Sequence, residues 1–122
     1  MPTDIERGSV LVLEDETVVA MDIALTLEEA GFVVQGPFKT ASKALASMEN
    51  EEPAFGILDL NLGNGETSEA VAARLSDANC PFVFLTGYEA SSHEVIRRFD
   101  HASCISKPVD MDMLESIVRS AM

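Results

Sequence analysis

The sequence predicts one α/β domain in which a parallel sheet lies between two layers of helices. Apolar runs alternate five times with helical patterns along the 122 residues. Each run is continuously apolar, as in strands buried on both faces. The composition, 47% apolar and 24% charged, is that of a globular domain of this length. Right-handed crossovers then favour a doubly wound, flavodoxin-like sheet with strand order 2-1-3-4-5 and five helices.

The first half of the chain contains three predicted strands and the two helices between them. Residues 10–13 are apolar and rich in β-branched side chains, which predicts the first strand. Residues 17–30 repeat apolar side chains at helical spacing. Residues 32–35 give a second strand that ends at a Gly-Pro pair, and residues 41–48 follow the i, i+3, i+4, i+7 rule of a second helix. Residues 55–58 form the third apolar run.

The second half repeats this alternation. After a glycine-rich loop at 63–65, a third helix is predicted with four inward side chains: Val71, Ala72, Leu75 and Ala78. Residues 81–85 give the fourth strand, residues 91–99 a weakly patterned helix and residues 102–106 the fifth strand. The last helix begins after Asp110, a residue type that caps helix N-termini well.

The ends and the composition set further expectations. Residues 1–9 are polar and aperiodic, which predicts a flexible lead-in to a domain over residues 10–122. The net charge of -13, with scattered basic residues, disfavours nucleic acid binding. No apolar stretch approaches the roughly 20 residues of a membrane span, and no signal peptide is recognisable. We therefore expect a cytoplasmic protein without membrane partners.

Cys80 and Cys104 are predicted to be reduced, half-buried thiols.

Residues suited to phosphoryl chemistry follow the predicted strands. The first strand ends at Glu14-Asp15, the third at Asp59, the fourth at Thr86 and the fifth at Lys107. In a parallel sheet these ends share one edge, so the side chains should converge. Crowded carboxylates need a countercharge, and oxygen-only ligands select Mg²⁺, Mn²⁺ or Ca²⁺ over Zn²⁺. A carboxylate beside a metal, an ammonium and a hydroxyl can form an aspartyl phosphate.

These motifs resemble the response-regulator receiver domains of two-component signalling, and the resemblance extends from about residue 10 to residue 122. It implies that Asp59 is the phosphoacceptor and that Thr86 and Lys107 contact the phosphoryl group. It also implies a Mg²⁺ site, with Mn²⁺ as a possible substitute. The implied ligands are Asp15, Asp59, the backbone carbonyl of Asn61 and, through water, Glu14. Lys107-Pro108 matches a peptide bond that is often cis in this family.

Two details refine the resemblance. The segments that start at Asp59 (Asp-Leu-Asn-Leu) and at Phe84 (Phe-Leu-Thr-Gly-Tyr) resemble stand-alone alphaproteobacterial receivers that serve HWE or HisKA2 histidine kinases. Leu85 stands where that subgroup has alanine. Cys104 stands where many receivers have the Tyr or Phe that reports phosphorylation, so the usual aromatic switch is predicted to be absent.

The expected function is a phosphorylation switch or a phosphate shuttle. A histidine kinase or a histidine phosphotransfer protein would phosphorylate Asp59, and because no output domain follows, the response would be a protein contact. The chain would then be no enzyme beyond its own phosphorylation and dephosphorylation. One alternative is a Mg²⁺-dependent phosphatase with an aspartyl-phosphate intermediate, although Asn61 occupies the position where such enzymes have a second acid. A pseudo-receiver that is never phosphorylated is another.

Overall fold

The computed structural model describes residues 8–63, 65–87 and 93–122. Its strands are β1 (Ser9–Leu13), β2 (Val33–Phe38), β3 (Phe55–Asp59), β4 (Asn61–Gly63), β5 (Glu66–Thr67), β6 (Phe82–Thr86) and β7 (Ser103–Ser106). Its helices are α1 (Thr17–Glu29), α2 (Ala41–Ser47), α3 (Glu69–Asp77), α4 (His93–Arg98) and α5 (Met111–Ala121). In the part of the chain that the structure describes, no helix has the length and apolarity needed to cross a membrane.

The central sheet has the predicted topology. Five strands lie in the order β2-β1-β3-β6-β7, and every neighbouring pair is parallel. If these five strands alone are numbered in chain order, their order across the sheet is 2-1-3-4-5. The predicted doubly wound α/β fold is therefore confirmed, and the C-terminal ends of all five strands lie at one edge.

The sheet is covered on both faces because its strands present apolar side chains to both. Val10 and Val12 of β1 belong to a core shared with α1 and α5. Leu11 and Leu13 of the same strand belong to the opposite core, shared with α2, α3 and α4. Successive side chains of a strand point to opposite faces, so a continuous apolar run supplies two cores.

Local signals explain two helix ends, and the one at Asp110 was predicted. Asp110 caps α5, because its Oδ1 accepts hydrogen bonds from the backbone N–H groups of Asp112 and Met113 at 3.0 and 3.1 Å. Gly31 follows α1 with a φ of +96°, the left-handed conformation that ends many helices. The Lys107-Pro108 peptide bond is cis, as the resemblance implied.

Strand β2 is longer than predicted. It begins at Val33 and continues through Gly36-Pro37 to Phe38, whereas the pattern placed its end before the Gly-Pro pair. A proline is tolerated there because β2 is an edge strand, where a missing N–H costs no ladder bond. Gly36 has a φ of +110°, and a Cβ at this position would lie 2.9 Å from the carbonyl oxygen of Val12. Only glycine therefore fits.

Four further expectations need correction. Strand β1 begins at Ser9, inside the predicted lead-in, and Ser9 is buried; residues 1–7 lie outside the described residues. The loop after Asp59 contains a small antiparallel hairpin of β4 and β5, too short to leave a periodic pattern. Ala78 follows the last turn of α3 and is exposed. Cys104 is also exposed, because it lies on the edge strand β7, whereas Cys80 is buried.

A buried polar network ties the β2 edge of the sheet to its neighbours. The Gln35 side chain accepts a hydrogen bond from Ser9 Oγ at 2.6 Å. Its amide nitrogen donates to Ser47 Oγ and to the carbonyl oxygen of Glu51, both at 3.0 Å. Gln35 is 8% exposed, so these bonds satisfy a side chain that would otherwise be costly to bury.

The substitution Gln35→Leu should lower the free energy of unfolding by about 2 kcal/mol, because it leaves Ser9 Oγ and the Glu51 carbonyl without their partner. Urea unfolding measures this loss. The double variant Gln35→Leu/Ser9→Ala no longer contains the orphaned Ser9 hydroxyl. Its loss of unfolding free energy should therefore be smaller than the sum of the losses in the two single variants. A Gln35→Leu protein within about 0.5 kcal/mol of wild type would show that the network contributes no stability.

Candidate functional site

Four strand ends bring the predicted polar residues to one edge of the sheet. Asp59 ends β3 and Thr86 ends β6, while Glu14 and Lys107 directly follow β1 and β7. The order of the strands places β1 beside β3 and β6 beside β7. Glu14, Asp59 and Lys107 are in contact as a result, although 93 residues separate the first from the last in sequence.

Three carboxyl groups form the centre of this site. Glu14, Asp15 and Asp59 each offer an oxygen within 4.8 Å of the other two. Glu14 is completely buried and Asp59 is 4% exposed, while Asp15 is half-buried at the rim. Carboxyl groups at this spacing repel one another when ionised. The site therefore needs positive charge from elsewhere.

The Lys107 ammonium supplies part of that charge. Its Nζ lies 2.9 Å from Glu14 Oε1, 3.0 Å from Glu16 Oε1 and 3.3 Å from Asp59 Oδ2. Its backbone N–H donates to the carbonyl oxygen of Thr86 at 2.8 Å, which ties the base of the side chain to the end of β6. One lysine thus serves three carboxyl groups.

The electrostatic balance still favours a proton on Asp59. Burial, followed by the neighbouring carboxyls of Glu14 and Asp15, raises the pKa of Asp59 from 3.8 to about 8, and Lys107 offsets only part of this rise. Burial opposes the charged form of Lys107, but Glu14 and Glu16 outweigh it and raise the pKa of the ammonium above its usual range. Lys107 is therefore a permanent cation, and further positive charge beside Asp59 would lower the pKa of this carboxyl.

The two oxygens of Glu14 have different surroundings. Oε2 accepts a hydrogen bond from the backbone N–H of Glu16 at 2.9 Å, which fixes the carboxylate in place. Oε1 is close to Lys107 Nζ, but the geometry is not that of a hydrogen bond, and among the described residues this buried atom has no hydrogen-bond partner. A buried oxygen in this state can accept a further hydrogen bond.

The hairpin after Asp59 lies against the same site. The N–H of Ser68, which follows β5, donates to the carbonyl oxygen of Leu60 at 3.1 Å. Gly63 comes so close that a Cβ there would lie 3.5 Å from Asp15 Oδ2, and its φ is +80°. Asn61, the first residue of β4, is half-buried and follows Asp59 by two positions. The predicted role of its carbonyl as a metal ligand stays a prediction.

Thr86 is half-buried at the end of β6, on the site's edge of the sheet. The bond from the Lys107 backbone uses its carbonyl oxygen, so the predicted contact between its hydroxyl and a phosphoryl group also stays a prediction. Tyr88, the last residue of the motif that begins at Phe84, lies outside the described residues.

Sequence reasoning missed one residue of the site. Glu16 follows the acidic pair and contacts Lys107 across 91 positions of sequence. The only local signal was that Glu16 is the third acid of the Glu14-Asp15-Glu16 run. An acid at the start of a helix is normally interpreted as a favourable charge near the helix N-terminus.

The comparison with known families decides what kind of domain carries this site. The model of the response regulator receiver domain matches residues 10–119. The chain belongs to the response regulator receiver family. Its match covers all five strands of the central sheet except the first residue of β1. The predicted resemblance is confirmed at this level.

Two named regulatory proteins are similar to most of this chain. The phyllosphere-induced regulator PhyR of Methylorubrum extorquens is 27% identical over 115 residues, 93% of this receiver and 43% of PhyR. The photosynthetic apparatus regulatory protein RegA of Rhodobacter capsulatus is 33% identical over 106 residues, 84% of this receiver and 56% of RegA. The chain thus spans about half the length of these relatives.

Solved structures share the fold over nearly the whole receiver. The solution structure of SdrG from Sphingomonas melonis Fr1 has a TM-score of 0.77 and 34% identity, and the alignment covers 93% of this chain and 95% of SdrG. The signal receiver domain of a modulated diguanylate cyclase from Desulfovibrio desulfuricans G20 has a TM-score of 0.81 and 26% identity, with 93% and 92% covered.

Asp59→Asn should raise the thermal unfolding midpoint of the metal-free receiver, and the gain should increase with pH. The folded state raises the pKa of Asp59 from 3.8 to about 8. The stability this proton provides is complete below pH 3.8 and is lost as the pH rises through about 8. Asparagine has no charge to bury, so we expect a gain of several degrees at about pH 8, measured by calorimetry in EDTA.

The exposed acid Asp77 provides the control, since Asp77→Asn should change the midpoint little at any pH. The same gain for Asp59→Asn at about pH 5 and about pH 8 would contradict the raised pKa.

Proposed function

We propose that this receiver accepts a phosphoryl group on Asp59 from a histidine kinase or a histidine phosphotransfer protein, in a reaction that depends on Mg²⁺. The observation that carries the proposal is the contact of a buried strand-end carboxyl, Asp59, with Lys107 and with the carboxyls of Glu14 and Asp15. The phosphorylated receiver then signals by protein contact or drains phosphate from its kinase.

The carboxyl cluster fits a divalent cation of the Mg²⁺ type. All its donors are oxygens, which select Mg²⁺ or Mn²⁺ over Zn²⁺. In this proposal Asp15, Asp59 and the Asn61 carbonyl hold the ion directly. Glu14 would hold one of its waters, which suits the buried Oε1 that lacks a hydrogen-bond partner within the described ranges. The bound ion would offset carboxylate repulsion and charge on the phosphoryl oxygens.

The side chains divide the transfer step between them. An Asp59 oxygen attacks the phosphorus of a phosphohistidine, so an O–P bond forms while the P–N bond breaks and its electron pair stays on the imidazole nitrogen. Lys107 already lies 3.3 Å from Asp59 Oδ2 and pairs with a phosphoryl oxygen. The Thr86 hydroxyl donates to another. Attack of water on phosphorus later breaks the Asp59–phosphorus bond and releases inorganic phosphate.

Phosphoramidate or acetyl phosphate should add one phosphoryl group to the wild-type receiver when Mg²⁺ is present. Neither EDTA-treated wild type nor Asp59→Asn should gain it, because each lacks a part of the attacking site. Intact mass spectrometry measures the adduct. Asp77→Asn should be labelled like wild type, since Asp77 is exposed at the end of α3.

Two outcomes would support the alternatives. Absence of an adduct under every condition, together with no transfer from any kinase tested, would make this chain a pseudo-receiver. Rapid turnover of a small phosphate ester such as p-nitrophenyl phosphate with Mg²⁺ would instead identify a phosphatase with an aspartyl-phosphate intermediate. The amide of Asn61 opposes that reading, because it cannot protonate a leaving group as a second acid would.

The donor protein is proposed to dock on helix α1. Val18, Met21 and Leu25 lie along one stripe of this helix and are 72%, 63% and 57% exposed, whereas Ile23 and Leu27 on its other side are buried. The helix begins two residues after Asp15, so the stripe borders the site. A phosphohistidine can reach Asp59 only if its carrier covers neighbouring surface, and exposed apolar stripes suit such contacts. We propose a kinase of the HWE or HisKA2 type as the carrier.

Met21→Glu should lower the rate of phosphotransfer from a responsive kinase at least about tenfold, because it places a charge in the centre of an apolar contact. Phosphotransfer from a panel of autophosphorylated HWE and HisKA2 kinases measures the rate. Met113→Glu is the matched control, since Met113 is 44% exposed on helix α5. Equal losses in the two variants, with unchanged melting temperatures, would place the docking surface elsewhere.

A further inference from the structure

The third partner of Lys107 has no assigned role in phosphoryl transfer. Glu14 is completely buried, but the Glu16 side chain is 61% exposed and reaches Lys107 Nζ from the solvent side at 3.0 Å. Glu16 and Lys107 together line a groove of about 380 Å³, which also includes Val19 and Pro108. Glu16 thus covers the solvent side of the Lys107 ammonium.

Helix capping does not explain the position of Glu16. It occupies the N-cap of α1, with an extended backbone, yet its side chain makes no capping hydrogen bond. Its backbone N–H donates instead to Glu14 Oε2 at 2.9 Å, and its carboxylate bonds to Lys107. Both polar ends of the residue are therefore directed toward the phosphorylation site.

We infer that Glu16 is a positioning residue that restrains Lys107 and limits the reaction of Asp59 with small anionic phosphoryl donors. This inference rests on the proposed function. The Lys107 ammonium donates hydrogen bonds to Glu16 and Asp59 and forms an ion pair with Glu14. Glu16 accepts one N–H donor that an incoming phosphoryl oxygen would otherwise use. Its exposed negative charge, in contact with Lys107, also repels an anion that approaches the ammonium. Both effects slow donors that diffuse in freely.

The size of the effect follows from the exposure of the pair. Exposed ion pairs contribute little and are screened by salt, so the restraint should change rates about two- to fivefold. The repulsion should act more strongly on acetyl phosphate, which carries more negative charge, than on phosphoramidate. It should diminish as ionic strength rises. A residue that only supported the fold would produce neither dependence.

The experiment compares Glu16→Gln, which removes the charge at constant length, with wild type. Time courses of intact mass with Mg²⁺ and each donor give the labelling rates. Glu16→Gln should react about two- to fivefold faster with acetyl phosphate at low salt, with a smaller gain for phosphoramidate. Glu28→Gln removes the same charge from an exposed position near the other end of α1 and should leave both rates unchanged.

A second measurement does not depend on phosphorylation. The nitrogen-15 NMR signal of the Lys107 ammonium should shift in Glu16→Gln and stay in place in Glu28→Gln. If wild type takes no phosphoryl group but this signal responds, the proposed function fails while the restraint on Lys107 stands. An unchanged signal overturns the inference, and so does a Glu16→Gln protein that reacts with acetyl phosphate no faster than wild type.

Discussion

The ammonium of Lys107 is the interaction on which the site depends. It reaches Glu14, Glu16 and Asp59 within 3.3 Å, and the described part of the pocket contains no second cation in contact with these carboxyls. Two fixed points hold it there, the backbone bond to the end of β6 and the buried Glu14. Without this charge, the buried carboxylates would have no positive partner. Folded proteins avoid the cost of such unpaired charges because the carboxylates take up protons.

One lysine leaves the pocket short of positive charge. Burial and the neighbouring carboxyls raise the pKa of Asp59, so the charged form of this side chain is unfavourable in the folded state. A divalent cation bound among these carboxyls would stabilise the charged form of Asp59. Stability and chemistry are therefore in opposition at Asp59, as is common where ionisable groups are gathered for function.

Cys104 and Lys107 differ in how they connect strand β7 to the rest of the sheet. Many receivers have an aromatic side chain where this chain has Cys104, and here that thiol lies exposed on the edge strand β7. The residue is exposed, but its surroundings partly shield the sulfur from water, which raises the pKa of the thiol. The thiol therefore favours its neutral form. Lys107, by contrast, connects β7 to β6 through its backbone and to β1 through Glu14. A shift of the Lys107 side chain would therefore change contacts with three strands.

The sequence by itself determined the fold class, the strand order and most of the site, because continuous apolar runs require two covered faces and parallel strands end at one edge. Asp59 and Lys107 could thus be paired without coordinates. Only the tertiary structure decided the course of β2 past Gly36-Pro37, the hairpin after Asp59 and the exposure of Cys104. It alone also decided that Glu16 turns toward Lys107. The hairpin is too short to leave a periodic pattern. The other features depend on contacts between residues distant in sequence, which local patterns do not reveal.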